Sequence, residues 1–177
     1  NVRKGVFQVT EKLYGIQFKE LTNVPKYHED ATVWEVTEKD GTHLGVLYMD
    51  FHPRESKRGG AWMTSYRSQK TVDGKRDAPV ISIVCNFTKP SANAPALLTF
   101  DEVSTFFHEF GHALHGLLSN VTYRSLAGTS VPRDFVELPS QIMENWAAEP
   151  EVLNMYAKHY KTGEVIPEAL VNKLKKA

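Results

Sequence analysis

The sequence predicts an α+β fold, a small β-sheet in the N-terminal half followed by helices, and three observations predict it. Short runs rich in β-branched and aromatic residues, separated by polar stretches punctuated with Gly and Pro, fill the first half. After Pro95 the apolar period becomes helical, with Phe100, Val103, Phe106, Phe107, Phe110, Leu114, Leu117 and Leu118 in step. The two kinds of run are segregated rather than alternating, which points away from a doubly wound α/β arrangement.

Taken in order, the apolar segment at residues 13–18 comes first. Thr32–Thr37 alternates large β-formers with other residues, and residues 43–51 form a second strand across a Lys39-Asp40-Gly41 turn. Residues 62–66 and 80–87 supply two more strands. The run from Val80 to Cys85 is almost wholly apolar, which predicts a central strand covered on both faces. Residues 52–60 and 71–79 are polar and read as exposed loops. Thr99 with Glu102 three residues on forms a capping box, so a helix starts near Phe100 and runs to Ser119-Asn120. A Gly-containing loop at residues 126–131 leads to a second helix opening at residues 132–134. Pro150 opens a third helix reaching about Tyr160. Gly163 breaks it, and Pro167 opens a short basic terminal helix whose Lys173, Lys175 and Lys176 form a solvated face.

The 177 residues carry 21 Lys+Arg against 21 Asp+Glu, a formal net charge of +0. That balance argues against nucleic acid and against a polybasic membrane surface as partners. No apolar run approaches the roughly 20 residues of a membrane span, and no signal-like N-terminus precedes the first strand. The lone Cys85 excludes an internal disulfide and a Cys-cluster metal site, and its apolar surroundings predict a buried thiol. A reducing compartment fits, so the expected location is cytoplasmic, with any export signal lying upstream of Asn1. A first residue other than Met suggests a piece of a longer protein.

The chemistry lies in His108-Glu109-Phe110-Gly111-His112, inside the predicted helix. Positions i and i+4 fall about 40° apart on one helix face. Two imidazoles so placed can bind one ion, with Glu109 beside them as a general base, the H-E-x-x-H pattern of zinc peptidases. Shuffling such a composition produces one match only about 2% of the time. Zinc needs a third protein ligand and an open position. Glu137 on the second helix is the candidate, although Asp134-x-x-Glu137 also fits an acidic pair capping its own helix. His115 shares the face of His108 and His112, where it supports the ligands or faces substrate, or else packs as an ordinary helix histidine. Ser140, Gln141 and Glu144 follow Glu137 at helical spacing, placing one of them to accept a proton from a ligating imidazole. His28, His43, His52 and His159 lack ligand spacing and read as surface or structural.

The stretch from His108 through Ser119 (HEFGHALHGLLS), followed by Ala127 to Trp146 (AGTSVPRDFVELPSQIMENW), resembles the thimet-oligopeptidase family of zinc peptidases. Lys57 to Met63 (KRGGAWM), Val84 to Pro90 (VCNFTKP) and residues 95–98 fit it as well. The resemblance extends from about Tyr14 to Lys176. Pro132 before Arg133-Asp134, and Gly116 after His115, lean toward its peptidyl-dipeptidase (Dcp) branch. It implies one Zn2+ held by His108, His112 and Glu137 in a thermolysin-like core, Glu109 as base and acid, and oligopeptides as substrate. It also implies that Gly60, Ala61 and Trp62 form an edge whose free backbone groups pair with an extended substrate.

The family's oxyanion-stabilising and carboxylate-binding residues lie well downstream of its DFVE motif, and nothing after Trp146 resembles them. The expectation is therefore a catalytic-core fragment of a larger, mostly helical peptidase. Residues 1–98 would form its sheet and loops, and residues 99–177 its helical zinc-site part. The parent would release C-terminal dipeptides or, alternatively, cut internally, while the fragment binds zinc weakly and is slow or inactive. Two other classes remain open: a non-catalytic peptide-binding module, and a structural domain with a four-ligand zinc. Oligomeric state is not legible.

Overall fold

A computed structural model describes residues 1–174. Lys173 is exposed, while Lys175 and Lys176 lie outside the described residues. The chain opens with a helix, α1 (Val2–Tyr14), where sequence reading found only strands and loops. Val2, Val6 and Val9 recur at helical spacing, and Val6 and Val9 are buried. Valine is a modest helix former, and here packing overrides propensity. Gly15, at φ +72°, ends the helix by donating its N–H to the Glu11 carbonyl. Leu13 and Tyr14 thus belong to a helix, and strand β1 (Gln17–Glu20) follows them.

The main sheet adds β2 (Thr32–Thr37), β3 (His43–Asp50), β4 (Trp62–Arg67) and, after a small hairpin, β7 (Val80–Val84). Its order is β1-β2-β3-β7-β4. Only β3 and β7 run parallel; the other neighbours are antiparallel. The apolar β7 lies inside the sheet as its composition predicts, and β4 forms an edge. The hairpin, β5 (Lys70–Val72) and β6 (Lys75–Asp77), occupies residues expected to be loop. Asp73 and Gly74 both take positive φ at its turn, the geometry a tight hairpin favours. Its strands are polar and short, so no alternation announced them. It delivers the Arg76 guanidinium to the carbonyls of Leu117 and Ser119, where a cation complements a helix C-terminus.

That helix is α2 (Phe100–Leu117). Its capping box forms as predicted: the Glu102 N–H donates to Thr99 Oγ1 at 3.2 Å and the Thr99 N–H to Glu102 Oε2 at 2.8 Å. α2 is buried on almost every side, because the sheet covers one flank and a later helix the other. Phe106, Phe107, Phe110 and Leu117 meet Leu47 and Ile81 of the sheet in one continuous core.

The expected second helix is two, α3 (Arg133–Val136) and α4 (Leu138–Ala147). Pro139 lacks the N–H that would bond back to Phe135, so the helix is interrupted at Glu137. α5 (Pro150–Tyr156) stops short of Tyr160. Ala157 leaves helical geometry, and Lys158 bridges to Val165. α6 (Glu168–Leu174) follows Pro167. No helix among the described residues is long and apolar enough to cross a membrane.

At the C-terminal ends of the parallel strands β3 and β7 sits a buried ion pair. Asp50 and Lys57 side chains are 1% and 3% exposed, with Nζ 2.9 Å from Oδ1. Lys57 Nζ also donates to the carbonyls of Asp50, His52 and Cys85, and Arg54 donates twice to the same carboxylate. Burial pushes the Asp50 carboxyl up, but the hydrogen bonds from Arg54 and Lys57 outweigh it and hold it below the ordinary value. The folded value lies below an unfolded one of about 3.9. This contribution is therefore complete above that pH and is lost as pH falls through the folded value. Lys57→Met should cost about 3–5 kcal/mol, since it removes the buried ammonium that pairs with Asp50 and donates to the carbonyls of His52 and Cys85. Denaturant melts at neutral pH measure the loss; an unchanged midpoint would contradict it.

Candidate metal centre

Within α2 Phe106 packs on Phe51, Phe110 on Phe7 of α1 and Phe18 of β1, and Phe107 on Tyr156 of α5. His108 and His112, one turn apart, face α4 and the break before it. This division follows from the 3.6-residue period and from the requirement that unpaired polar groups stay out of the core. Glu137 occupies the break between α3 and α4, with its backbone still helical at φ −86° and ψ −8°. Its side chain caps no helix and turns to the histidines instead.

The three side chains converge. His108 Nε2 and His112 Nε2 are 3.2 Å apart, and Glu137 Oε2 lies 3.2 Å from the first and 3.1 Å from the second. Bonds of about 2.0–2.1 Å at tetrahedral angles separate neighbouring ligand atoms by about 3.3 Å. The donor triangle therefore has the dimensions that a small divalent cation requires, and two imidazoles with a carboxylate are the donor chemistry zinc accepts.

Neighbours on α4 orient the donors. The His108 Nδ1–H donates to Glu144 Oε1 at 2.5 Å, which leaves the Nε2 lone pair turned toward the triangle. Ser140 Oγ–H donates to Glu137 Oε2 at 2.8 Å. Ser140, foremost, and the two histidines hold the Glu137 carboxyl below its usual range. Of the three candidates for accepting a proton from a ligating imidazole, Glu144 faces one; Ser140 instead donates to Glu137, and Gln141 is exposed. α2 and α4 can come this close because position 111 is glycine. A Cβ there would lie 2.5 Å from Ser140 Cα and 2.6 Å from the Pro139 carbonyl oxygen. Sequence reading assigned Gly111 no role, and no local pattern carries that contact.

Glu109 is 6% exposed, and its Oε2 finds no hydrogen-bond partner among the described residues. Burial pushes its carboxyl up, the His108 charge opposes this, and Glu137 adds to it. His112 and His115 are both lowered, chiefly by burial, and the Nδ1 of each lacks a partner. His115 stands outside the triangle. It lines an open groove of about 300 Å³ with Leu126, Val131 and Pro139. A second hollow of about 260 Å³ opens beside His108 and Glu144. His28, His43, His52 and His159 make hydrogen bonds away from the triangle. Cys85 is fully buried, and burial raises its thiol. Of the expected edge, only Trp62 lies within β4. Gly60, at φ +89°, turns the chain toward it, and Ala61 links the two.

A sheet-backed helix carrying two histidines and a buried glutamate, with a third donor from a neighbouring helix, defines a candidate metal-dependent peptidase. A family model described as Peptidase family M3 matches residues 1–177, and the chain belongs to that family. It is 48% identical to the dipeptidyl carboxypeptidase of Escherichia coli (strain K12) over 176 residues, covering 99% of this chain and 26% of that protein. Oligopeptidase A of the same strain is 45% identical over 172 residues, covering 96% of this chain and 25% of that protein. Saccharolysin of Saccharomyces cerevisiae (strain ATCC 204508 / S288c) is 39% identical over 179 residues. The chain spans about a quarter of the length of these curated relatives.

Proposed function

We propose that this chain is the thermolysin-like zinc core of a longer, cytoplasmic peptidase that hydrolyses short oligopeptides, releasing C-terminal dipeptides. One observation carries the reading: the His108, His112 and Glu137 donors converge beside a buried carboxylate with no partner of its own. His108, His112 and Glu137 would hold the ion, with Glu144 and Ser140 fixing the first and last of them. A zinc ion there would supply Lewis acidity toward the scissile carbonyl and water. Glu109 takes a proton from the attacking water on its free Oε2. As the C–N bond breaks it returns that proton to the leaving amine. The groove lined by His115 and the edge led by Gly60, Ala61 and Trp62 would receive the peptide chain.

The donor set favours catalysis over a structural role. Among the described residues the group contains three donors, and a catalytic zinc site keeps its fourth position open. Internal cleavage is the second reading, because relatives named for each activity are similarly close.

The test uses the intact protein that contains this chain, stripped of metal and resupplied with zinc. Mass spectrometry of an N-terminally blocked octapeptide should show zinc-dependent loss of two residues at a time from the C-terminus. Internal fragments alone would establish the second reading. No zinc-dependent hydrolysis at all would overturn both.

A further inference from the structure

Two stretches that the metal centre leaves unexplained, residues 57–63 and 84–90, are fastened together by side chains. Asn86 Nδ2 donates to the Arg58 carbonyl at 2.9 Å and to the Gly60 carbonyl at 2.7 Å. From the opposite side Lys57 binds the carbonyls of Asp50, His52 and Cys85. Between them lies Gly59-Gly60, which has no side chain to hold it. The chain then enters β4 at Trp62, opposite Val84.

β4 pairs with β7 on one side and with no strand among the described residues on the other. α2, which carries His108 and His112, packs over both strands. An extended peptide adding to this edge would lie alongside that helix. Such pairing is costly if the edge must be ordered at the same moment, and a Gly-Gly lead-in is the most costly kind to order. The Asn86 amide has two N–H donors, and both are committed to the turn. It therefore has no donor left for a peptide, and its hold on the backbone runs through Nδ2 alone, with Oδ1 left as an acceptor.

We propose that Asn86 is a positioning residue that fixes the carbonyls of residues 58 and 60, holding the open edge of β4 ready for main-chain pairing by an extended oligopeptide. The proposal rests on the peptidase reading above.

The test compares Asn86→Asp and Asn86→Gln in the intact, zinc-loaded protein with a fluorogenic octapeptide. Aspartate keeps the shape and presents acceptors to two carbonyls; glutamine keeps the donors on a longer arm. Asn86→Asp should raise KM about tenfold, equivalent to about 1.4 kcal/mol of binding, with kcat within about twofold. Zinc affinity by chelator competition and melting temperature should match the wild type, and Asn86→Gln should recover part of the loss. A peptide N-methylated at its non-scissile amides cannot pair as a strand and should bind wild type and variant alike. An unchanged KM in Asn86→Asp, or a rise matched by lost zinc affinity or lost thermal stability, overturns the role of Asn86 and leaves the peptidase reading standing. Absence of zinc-dependent hydrolysis by the wild type overturns both.

Discussion

Glu109→Gln should leave the metal centre loaded while reducing peptide hydrolysis by about 10²–10⁴-fold, the usual worth of a positioned acid–base group. The substitution changes little except basicity. Glutamine has the same shape, and the wild-type Oε2 makes no hydrogen bond that its amide would forfeit. The donor triangle belongs to His108, His112 and Glu137, so zinc stoichiometry should stay at one per chain. Glu137→Gln is the contrasting control. It weakens a donor directly, so metal loss and activity loss should appear together. Metal analysis beside single-turnover rates in the intact protein separates the two. Full activity in Glu109→Gln would remove it from the chemistry, and zinc loss would move it into the donor set.

What the sequence made legible was whatever depends on local periodicity. β2 has its predicted bounds, the Thr99–Glu102 box opens α2, and the i, i+4 histidines share a face. Glu137 was open to two uses on spacing alone, and a capping role left no trace in the fold. Features set by a single side chain or by distant segments were hidden. α1 escaped because its buried positions are Gly5, Val6, Val9 and Thr10, none a strong helix former, so their preference runs against the state that packing gives them. The break at Glu137 follows from Pro139, whose missing N–H acts on the backbone two residues before it. Asn86 and Lys57 stand in stretches that matched a family pattern. Their partners, Gly60 and Cys85, lie 26 and 28 residues away, beyond the reach of any periodicity.

The contact with the widest consequence among these is at Gly111. Gly111→Ala should lower zinc affinity by about 10–100-fold, the range seen when groups supporting a metal ligand are disturbed. It should also destabilise the fold by about 1–3 kcal/mol. The added carbon would fall 2.5 Å from Ser140 Cα, 2.6 Å from the Pro139 carbonyl oxygen and 2.9 Å from Ser140 N. All three are backbone atoms, so no rotamer change relieves the overlap and the helices themselves must separate. α4 carries Ser140 and Glu144, and Glu137 immediately precedes it. Any withdrawal therefore lengthens the His108–Glu144 hydrogen bond and carries Glu137, with Ser140, away from the two histidines, opening the triangle. Helix propensity predicts the opposite sign, because alanine in place of glycine stabilises a helix interior by about 1 kcal/mol. The two effects are thus opposed, and the experiment decides between them. Chelator competition and denaturant melts of Gly111→Ala should show weaker zinc binding and a lower midpoint. A variant that melts later and binds zinc as tightly would mean that α2 and α4 can part without disturbing the donors. The geometry argues against that outcome, since the same backbone contact that a methyl group would break sets the distance of Glu137 from both histidines.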